Sequence, residues 1–307
     1  SLHDWMNESI EEEPEAGGML LDVKNGHTWA ASIARNYDVD QLVLFMEAEN
    51  SLKLNQPFNL DLTIQSGQIF HYFPADSGYI IPTKGQTFQI WQEANSLHWH
   101  SLHGLTQPDF IRLYFRLDDD LTAIFKQWDD DTFLQSVFHK YAGLRLLRQD
   151  PWECMLGFIT SIASNIPRIR NNLLFLSETY GSAVEHEATT LNYLPTPLQL
   201  GLATLDDLYG AGLGFRSKFF HETIPLLTRG FDLHALKQLT YSDAKSKLTK
   251  LHGIGEKVAD CILLFSLDHL QAFPVDTWIV KILRQKYFPK IVANPSKLAA
   301  AARKEFG

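Results

Sequence analysis

The sequence predicts an α+β fold: an N-terminal antiparallel β-sheet domain followed by a mostly α-helical one. Three observations carry this. Up to Asp150, short stretches alternate apolar and polar residues between glycine and proline turns; beyond it, apolar residues recur at helical spacing behind capping residues. The charge balance turns over at the same point, from 10 Lys+Arg against 22 Asp+Glu in residues 1–150 to 17 against 14 in residues 151–307. A chain of 307 residues is long enough for about two domains, each able to bury its own core.

Residues 1–18 read as a flexible, solvated tail, because Glu8, Glu11, Glu12, Glu13 and Glu15 stand where a secretory signal needs a basic start and an apolar stretch. Residues 19–150 form the sheet domain. Within it Phe58–Ile64 and Phe88–Trp91 alternate as strands, with turns at Gly67, Pro74, Gly78 and Gly85. His98, His100 and His103 alternate along a further strand on a solvated face, with no acid or cysteine joining them at metal-ligand spacing. Asp118–Asp120 and Asp129–Asp131 lack the glycine turn of a calcium loop and read as solvated helix ends and loops. The helical domain, 151–307, opens with Asp150 as the cap, Pro151 at the first helical position and Glu153 at the third. The apolar stripe Met155, Phe158, Ile159, Ile162 follows. Further helix starts fall at Thr196-Pro197, at Thr204 with Asp207 and at Ser242, with Gly181, Gly210 and Gly230 as stops.

Composition excludes several classes. At 45% hydrophobic and 21% charged, the chain is neither collagen-like nor mostly disordered. No apolar run approaches the ~18 residues that cross a membrane. Two cysteines, Cys154 and Cys261, cannot build a disulfide framework, a four-cysteine zinc site or a four-cysteine iron–sulfur cluster. The expectation is a monomer in a reducing, intracellular compartment, with no metal, no redox cofactor and no membrane. A net charge of −9 opposes a polyanionic partner overall, yet the base excess of the second half leaves room for a local basic face.

The most particular stretch is Lys250-Leu251-His252-Gly253-Ile254-Gly255-Glu256-Lys257-Val258-Ala259-Asp260-Cys261, between helical patterns at 243–251 and 256–267. Gly253 and Gly255 around one apolar residue make a tight turn whose backbone can approach a partner closely. The amides that open the next helix suit a phosphate. On the residues alone an ordinary interhelical turn is the competing reading. Lys257, Cys261 and Phe265, at i, i+4 and i+8, share one stripe of that helix.

This pattern resembles the hairpin of the helix-hairpin-helix DNA glycosylases, in which a Pro-Val-Asp segment follows. Here Phe273-Pro274-Val275-Asp276-Thr277 follows, with Asp276 standing 19 residues beyond Lys257, the spacing of the lysine-bearing, bifunctional members. A helix over 256–266 descends ~16 Å and residues 268–275 span up to ~27 Å, so the chain can return Asp276 to Lys257. The resemblance points to the 8-oxoguanine branch and extends over most of the chain. It takes in Ser66-Gly67-Gln68-Ile69-Phe70, the run from Leu144 to Cys154, the run from Phe158 to Ile169, and Gly212-Leu213-Gly214-Phe215-Arg216.

It implies a base-excision-repair DNA glycosylase with lyase activity on damaged double-stranded DNA. Lys257 would attack the sugar C1′, expel 8-oxoguanine, form a Schiff base and cleave the strand by β-elimination, with Asp276 stabilising the cationic sugar. An ordinary lysine is almost wholly protonated at neutral pH, so such a nucleophile needs a helix N-terminus and partial burial to favour the amine. The resemblance also implies that Gly67, Cys261 and Phe265 line the base pocket, the Gly67 carbonyl reading the N7 hydrogen of the lesion. Arg168 and Arg216 would hold the orphaned cytosine and Phe215 would wedge into the stack.

Three departures qualify it. Ala163 stands where many relatives place an asparagine that fills the emptied duplex position; Ser164 and Asn165 are the substitutes at hand, and looser opposite-base discrimination is expected. Trp278 stands where some relatives have histidine. The sequence given ends at Lys304-Glu305-Phe306-Gly307, before the C-terminal helix that completes the base pocket in the family, and weakened base recognition is expected of a chain ending there. Two other readings stay in view. A related glycosylase for another lesion is disfavoured, because the alkylation branch lacks the lysine and the adenine and oxidised-pyrimidine branches carry a four-cysteine cluster. A non-catalytic DNA-binding module would use Lys257 as a phosphate clamp and Asp276 only as a cap. The expected location is the cytoplasm or nucleoid of a prokaryote, or the nucleus of a eukaryote.

Overall fold

The computed structural model describes residues 50–186, 189–291 and 294–306; the tail read at 1–18 and the start of the sheet domain at 19–49 lie outside the described residues. Five antiparallel strands, β1 (Asn50–Lys53), β2 (Phe73–Pro74), β3 (Tyr79–Thr83), β4 (Gln86–Glu93) and β5 (Ser96–His103), form one sheet in the order β1-β5-β4-β3-β2. Alternate residues of β4 and β5 supply its core, with Phe88, Ile90, Leu97 and Trp99 fully buried. Lys84 and Gly85 link β3 to β4 with φ of 45° and 74°, the paired positive values of a type I′ turn. On the opposite face His98 and His100 lie against the Trp91 ring, at 5.6 and 5.0 Å.

The segment Phe58–Ile64, read from its alternation as a strand, is corrected by the structure: it enters helix α1 (Leu60–Gln65). Asn59 caps it, its Oδ1 accepting from the Leu62 N–H at 2.9 Å, and Leu60, Thr63 and Ile64 fall on one buried face. Alternation at 58, 60, 62 and 64 has the strand period; in the helix Leu62 turns off the buried face, and the Asn59 cap is what outweighs the alternation. Helices α2 (Pro108–Tyr114), α3 (Leu121–Lys126) and α4 (Thr132–Lys140) follow, the last two capped by Asp120 and Asp131. Those two aspartates are helix ends, as read, whereas Asp118 and Asp119 pair with Arg148 and Arg116.

In the second half every residue of α5 (Pro151–Thr160) except Glu153 is buried, which makes it the central helix of its core. Asp150 Oδ1 accepts from the Trp152 and Glu153 N–H groups at 2.9 and 3.2 Å. Helix α6 (Ile166–Tyr180) leads into a hairpin that the helical periodicity did not disclose, β6 (Ala183–His186) with β7 (Thr189–Asn192). Thr196 and Thr204 build capping boxes with Gln199 and Asp207 on α7 (Pro197–Leu200) and α8 (Leu205–Gly210). Helix α9 (Arg216–Thr228) and a 3₁₀ turn (His234–Gln238) come next. The start read at Ser242 lies earlier, since Thr240 caps α10 (Tyr241–Leu248). The chain then runs through α11 (Glu256–Ser266), α12 (Thr277–Ile282), a π turn (Leu283–Tyr287) and α13 (Pro295–Phe306).

One core gathers the inner face of the sheet with α1, α2 and Leu147; a second gathers α5 through α11 and takes in Phe70 from the sheet side; a small third joins α12 to α13. Asp268 ties the first two together. Its Oδ1 accepts from Arg116 at 2.6 and 2.7 Å and from Arg148 at 2.8 Å, and its Oδ2 from Lys237 at 2.7 Å. Burial alone would raise its pKa; the Lys237 and Arg148 hydrogen bonds and the arginine charges outweigh that and hold it below the usual carboxylate range.

Glu153 does the reverse. Its carboxylate leaves the helix end to accept from the Thr83 hydroxyl and, at 2.8 Å, from the Lys84 N–H, beside a small cavity also lined by His71, Tyr114, Gln149 and Cys154. Burial, then the Asp150 charge, pushes its pKa up to about 7 from an ordinary 4.5, against the pull of those hydrogen bonds. The folded protein therefore favours the protonated acid, and this contribution to stability is present below about pH 4.5 and is lost as pH rises through about 7. Glu153→Gln, which cannot ionise, is expected to match or trail the wild type at low pH and to gain on it by roughly 5 °C in Tm between pH 5 and 8. Parallel Tm-against-pH curves for the two proteins would refute the assignment.

Candidate active site

Helices α10 and α11 form the hairpin, and a buried carboxylate pins them. Asp260, 1% exposed, accepts from the Tyr241 hydroxyl at 2.7 Å and from Lys245 Nζ at 2.9 Å. The two glycines of the connecting turn differ in kind. Gly253 has φ of 84°, and a Cβ there would stand 2.2 Å from Phe219 Cγ, so no other residue fits without displacing the ring. Gly255, the cap of α11, has φ of −80°, and a Cβ there would meet nothing within 4 Å. Its lack of a side chain leaves the first amides of α11 open to an approaching group.

Lys257, Cys261 and Phe265 lie along one stripe of α11, as the spacing predicts, and α5 supplies the opposing wall. Lys257 is partly buried, with Nζ 5.1 Å from the centre of the Phe158 ring. That ring stacks on Phe265 at 5.5 Å and 14° and meets Phe70 edge-on at 5.7 Å. Cys261 is 2% exposed; burial pushes its thiol up to about 11, Lys257 pulls it down, and the Asp276 charge raises it. The lysine thus lies against the sulfur on its own helix, while Asp276, on the next element, acts on it only through its charge. Asp276 is exposed at the start of α12, its Oδ1 accepting from the Trp278 and Ile279 N–H groups at 2.9 and 2.8 Å.

Gly67 reaches this place through its neighbours. It follows α1 with φ of 84°, and Gln68 beside it is buried and fully engaged. Gln68 Nε2 donates to Ser66 Oγ and to the Arg145 carbonyl, both at 2.8 Å, while its Oε1 accepts from the Leu147 N–H at 2.9 Å. Gln149 Nε2 donates back to the Gln68 carbonyl at 2.8 Å, and the Gln149 N–H donates to the Phe265 carbonyl at 2.9 Å. The Gly67 turn is therefore fastened to the end of α11.

A sequence profile described as 8-oxoguanine DNA glycosylase, N-terminal domain, matches residues 51–155. The probable N-glycosylase/DNA lyase of Methanothermobacter thermautotrophicus is 30% identical over 215 residues, which are 64% of this chain and 67% of that protein. The chain belongs to the 8-oxoguanine DNA glycosylase/lyase family. The N-glycosylase/DNA lyase of Arabidopsis thaliana is 33% identical over 204 residues, 62% of this chain, which spans only 55% of that relative's length. The Clostridium acetobutylicum 8-oxoguanine glycosylase/lyase, solved in complex with double-stranded DNA containing cytosine opposite 8-oxoG, has the same fold. Its TM-score is 0.77 at 27% identity, over 86% of this chain and 93% of that one.

The remaining residues to which the family resemblance gave DNA contacts form a second group on the α6 and α9 ends. Phe215 is half exposed, as a wedge requires, and Arg168 is exposed with Nη2 donating to the Gly212 carbonyl at 3.0 Å. Asn165 Oδ1 is taken up in capping α6, accepting from the Arg168 N–H at 3.0 Å. Arg216 differs from its expected presentation. It is 2% exposed and its guanidinium is engaged by carbonyls of this chain, so it offers no open fork. Phe158, Gln68 and Gln149 join the site without having been given a role there. Phe158 falls on the apolar stripe of α5, and the glutamines lie inside segments that the family resemblance covers, but neither glutamine showed what it would hold.

The two glycines give a paired expectation. Gly253→Ala should lower stability by roughly 2–4 kcal/mol, from the left-handed backbone and the Phe219 overlap together, whereas Gly255→Ala should leave the melting temperature nearly unchanged. Equal losses in thermal unfolding would show that the hairpin is not built as described.

Proposed function

We propose that this chain flips 8-oxoguanine out of duplex DNA, breaks its N-glycosidic bond with Lys257 and nicks the strand by β-elimination, within the cell and on genomic DNA. The observation that carries the reading is the partly buried Lys257 at the start of α11 with its Nζ 5.1 Å from the Phe158 ring, which stacks on Phe265, together with Asp276 held as a cap at the start of α12. Flipping is required because both the attacked carbon and the edge of the base are covered in the stack.

The steps follow from the groups present. Only a neutral amine has a lone pair, so the Lys257 ammonium must first lose a proton, and Asp276, with Oδ2 unengaged, is the carboxylate available to receive it. As the C1′–N9 bond breaks, its electron pair leaves with the base, which takes up the proton that Asp276 received from Lys257 and so restores the Asp276 carboxylate, and positive charge gathers on the sugar. The Asp276 carboxylate stabilises that charge while Nζ bonds to C1′. Opening of the sugar ring gives the iminium, which acidifies C2′; loss of a C2′ proton expels the 3′ phosphate. The Gly67 carbonyl accepts from N7–H of the lesion, where guanine presents a second acceptor and is repelled. Cys261 and Phe265 border the base, Gly253 and Gly255 admit a phosphate to the α11 amides, and Phe215, Arg168 and Asn165 meet the opened duplex.

Borohydride trapping on a duplex with 8-oxoguanine opposite cytosine tests this. The wild type is expected to give a covalent adduct, Lys257→Gln none, and Asp276→Asn excision slowed roughly 10²–10³-fold with DNA binding retained. An adduct on Lys257→Gln, or a wild type that forms none, would sink the mechanism.

A further inference from the structure

Phe215, Phe219 and Thr223 stand at i, i+4 and i+8 and so share one stripe of α9, with Glu222 beside them. The Phe219 ring meets the Phe215 ring edge-on, at 5.6 Å and 78°, and meets the His252 ring at 5.0 Å and 67°. One side chain therefore touches both the half-exposed aromatic at the start of α9 and the turn between α10 and α11.

The grip on that turn is close. A Cβ on Gly253 would stand 2.2 Å from Phe219 Cγ, so backbone and ring are already in contact. Thr223, 1% exposed, donates from its hydroxyl to the His252 carbonyl at 3.2 Å, and Glu222 Oε2 lies 2.5 Å from His252 Nδ1. Three successive contacts from α9 thus fix His252 and Gly253 through ring, carbonyl and imidazole. The turn they hold leads straight into the first amides of α11 and to Lys257, the second residue of that helix.

We propose that Phe219 is a positioning residue for strand opening: seated on the hairpin turn, it sets the Phe215 ring at a fixed separation from the α11 amides, so that phosphate capture and entry of the wedge into the stack form one docking step. This rests on the reading of the chain as a duplex-opening enzyme. Once the hairpin has docked, a wedge tied to it meets the stack at high effective concentration. A loosened wedge forfeits that advantage although both parts remain.

Phe215→Ala, Phe219→Leu, Phe219→Tyr and the double variant Phe215→Ala with Phe219→Leu are compared with the wild type on a duplex carrying 8-oxoguanine opposite cytosine. Fluorescence anisotropy gives the affinity, and 2-aminopurine placed beside that cytosine brightens when the stack opens. Borohydride trapping on a single-stranded abasic oligonucleotide, which needs no wedge, reports the fold and the lysine, because Thr223 and Glu222 still hold the turn. Phe219→Leu is expected to weaken duplex binding about tenfold and to lose most of the 2-aminopurine rise, as Phe215→Ala does, while single-strand trapping stays within about twofold and Phe219→Tyr, which keeps the ring, behaves as the wild type. Since the two rings act in series, the double variant is expected within about twofold of either single one. Losses that multiply to about a hundredfold would show two independent contacts and overturn the proposal. An equal fall in single-strand trapping, or either single variant opening the duplex like the wild type, would overturn it too. A wild type that leaves 8-oxoguanine in place ends the substrate reading alone, since the same set on a duplex with a tetrahydrofuran abasic analogue still decides the role of Phe219.

Discussion

The Gly67 turn belongs to the sheet core and Lys257 to the helical core, and the segment from Arg145 to Gln149 is what registers one against the other. Gln68 bonds to this segment from one side, and the Gln149 amide bonds to the end of α11 from the other. In the proposed reaction the Gly67 carbonyl and the Lys257 amine must be placed within about an ångström of their targets at once. Two cores joined by a flexible linker could not meet that requirement. Removing either glutamine side chain would leave buried backbone groups unpaired, at about 1–3 kcal/mol each, and would also loosen the register on which chemistry depends.

The same division governs electrostatics. A chain with net charge −9 can hold a polyanion only where its acids are engaged elsewhere. Asp118, Asp119 and Asp268 are bound to Arg116, Arg148 and Lys237 at the junction of the two halves. Residues 277–304 contain seven lysines and arginines and no acid, so the segment just beyond Asp276 concentrates the positive field. Arg216 adds a cation that only carbonyls and a ring face solvate.

What was legible in the sequence was local. Asp150 with Pro151, Thr196 with Gln199 and Thr204 with Asp207 act within one helical turn, and a cap binds its own helix regardless of the rest of the fold. The hairpin was legible because two glycines, an apolar residue and a lysine at a helix start leave few alternatives, and Gly253 is indeed the residue that Phe219 demands. The Phe58–Ile64 segment misled because its alternation has the strand period, while the evidence for a helix lay in a single side chain, Asn59. Gln68, Gln149 and Arg216 act across 53 to 81 residues of sequence, and nothing near them announces the partner. Gly67 entered only through the family resemblance, since a glycine in a turn is ordinary until its neighbours are known to reach α11.

Under the proposed mechanism, the carboxylate that would serve Lys257 must be one that is not already engaged elsewhere. Glu256, its immediate neighbour, is exposed and lies 3.8 Å from Lys245. Asp260, one helical turn further on, is buried between Tyr241 and Lys245, with Arg303 at 3.7 Å. Its charge is balanced and its oxygens are enclosed, so it can fix the hairpin but cannot face a sugar. Asp268 holds three cations at the far end of α11. Asp276 keeps one oxygen without a hydrogen bond among the described residues, while its other oxygen satisfies both amides at the start of α12 and so holds the carboxylate in place. Under the proposed reaction, capping and chemistry are then not competing explanations of Asp276: the cap would aim the carboxylate.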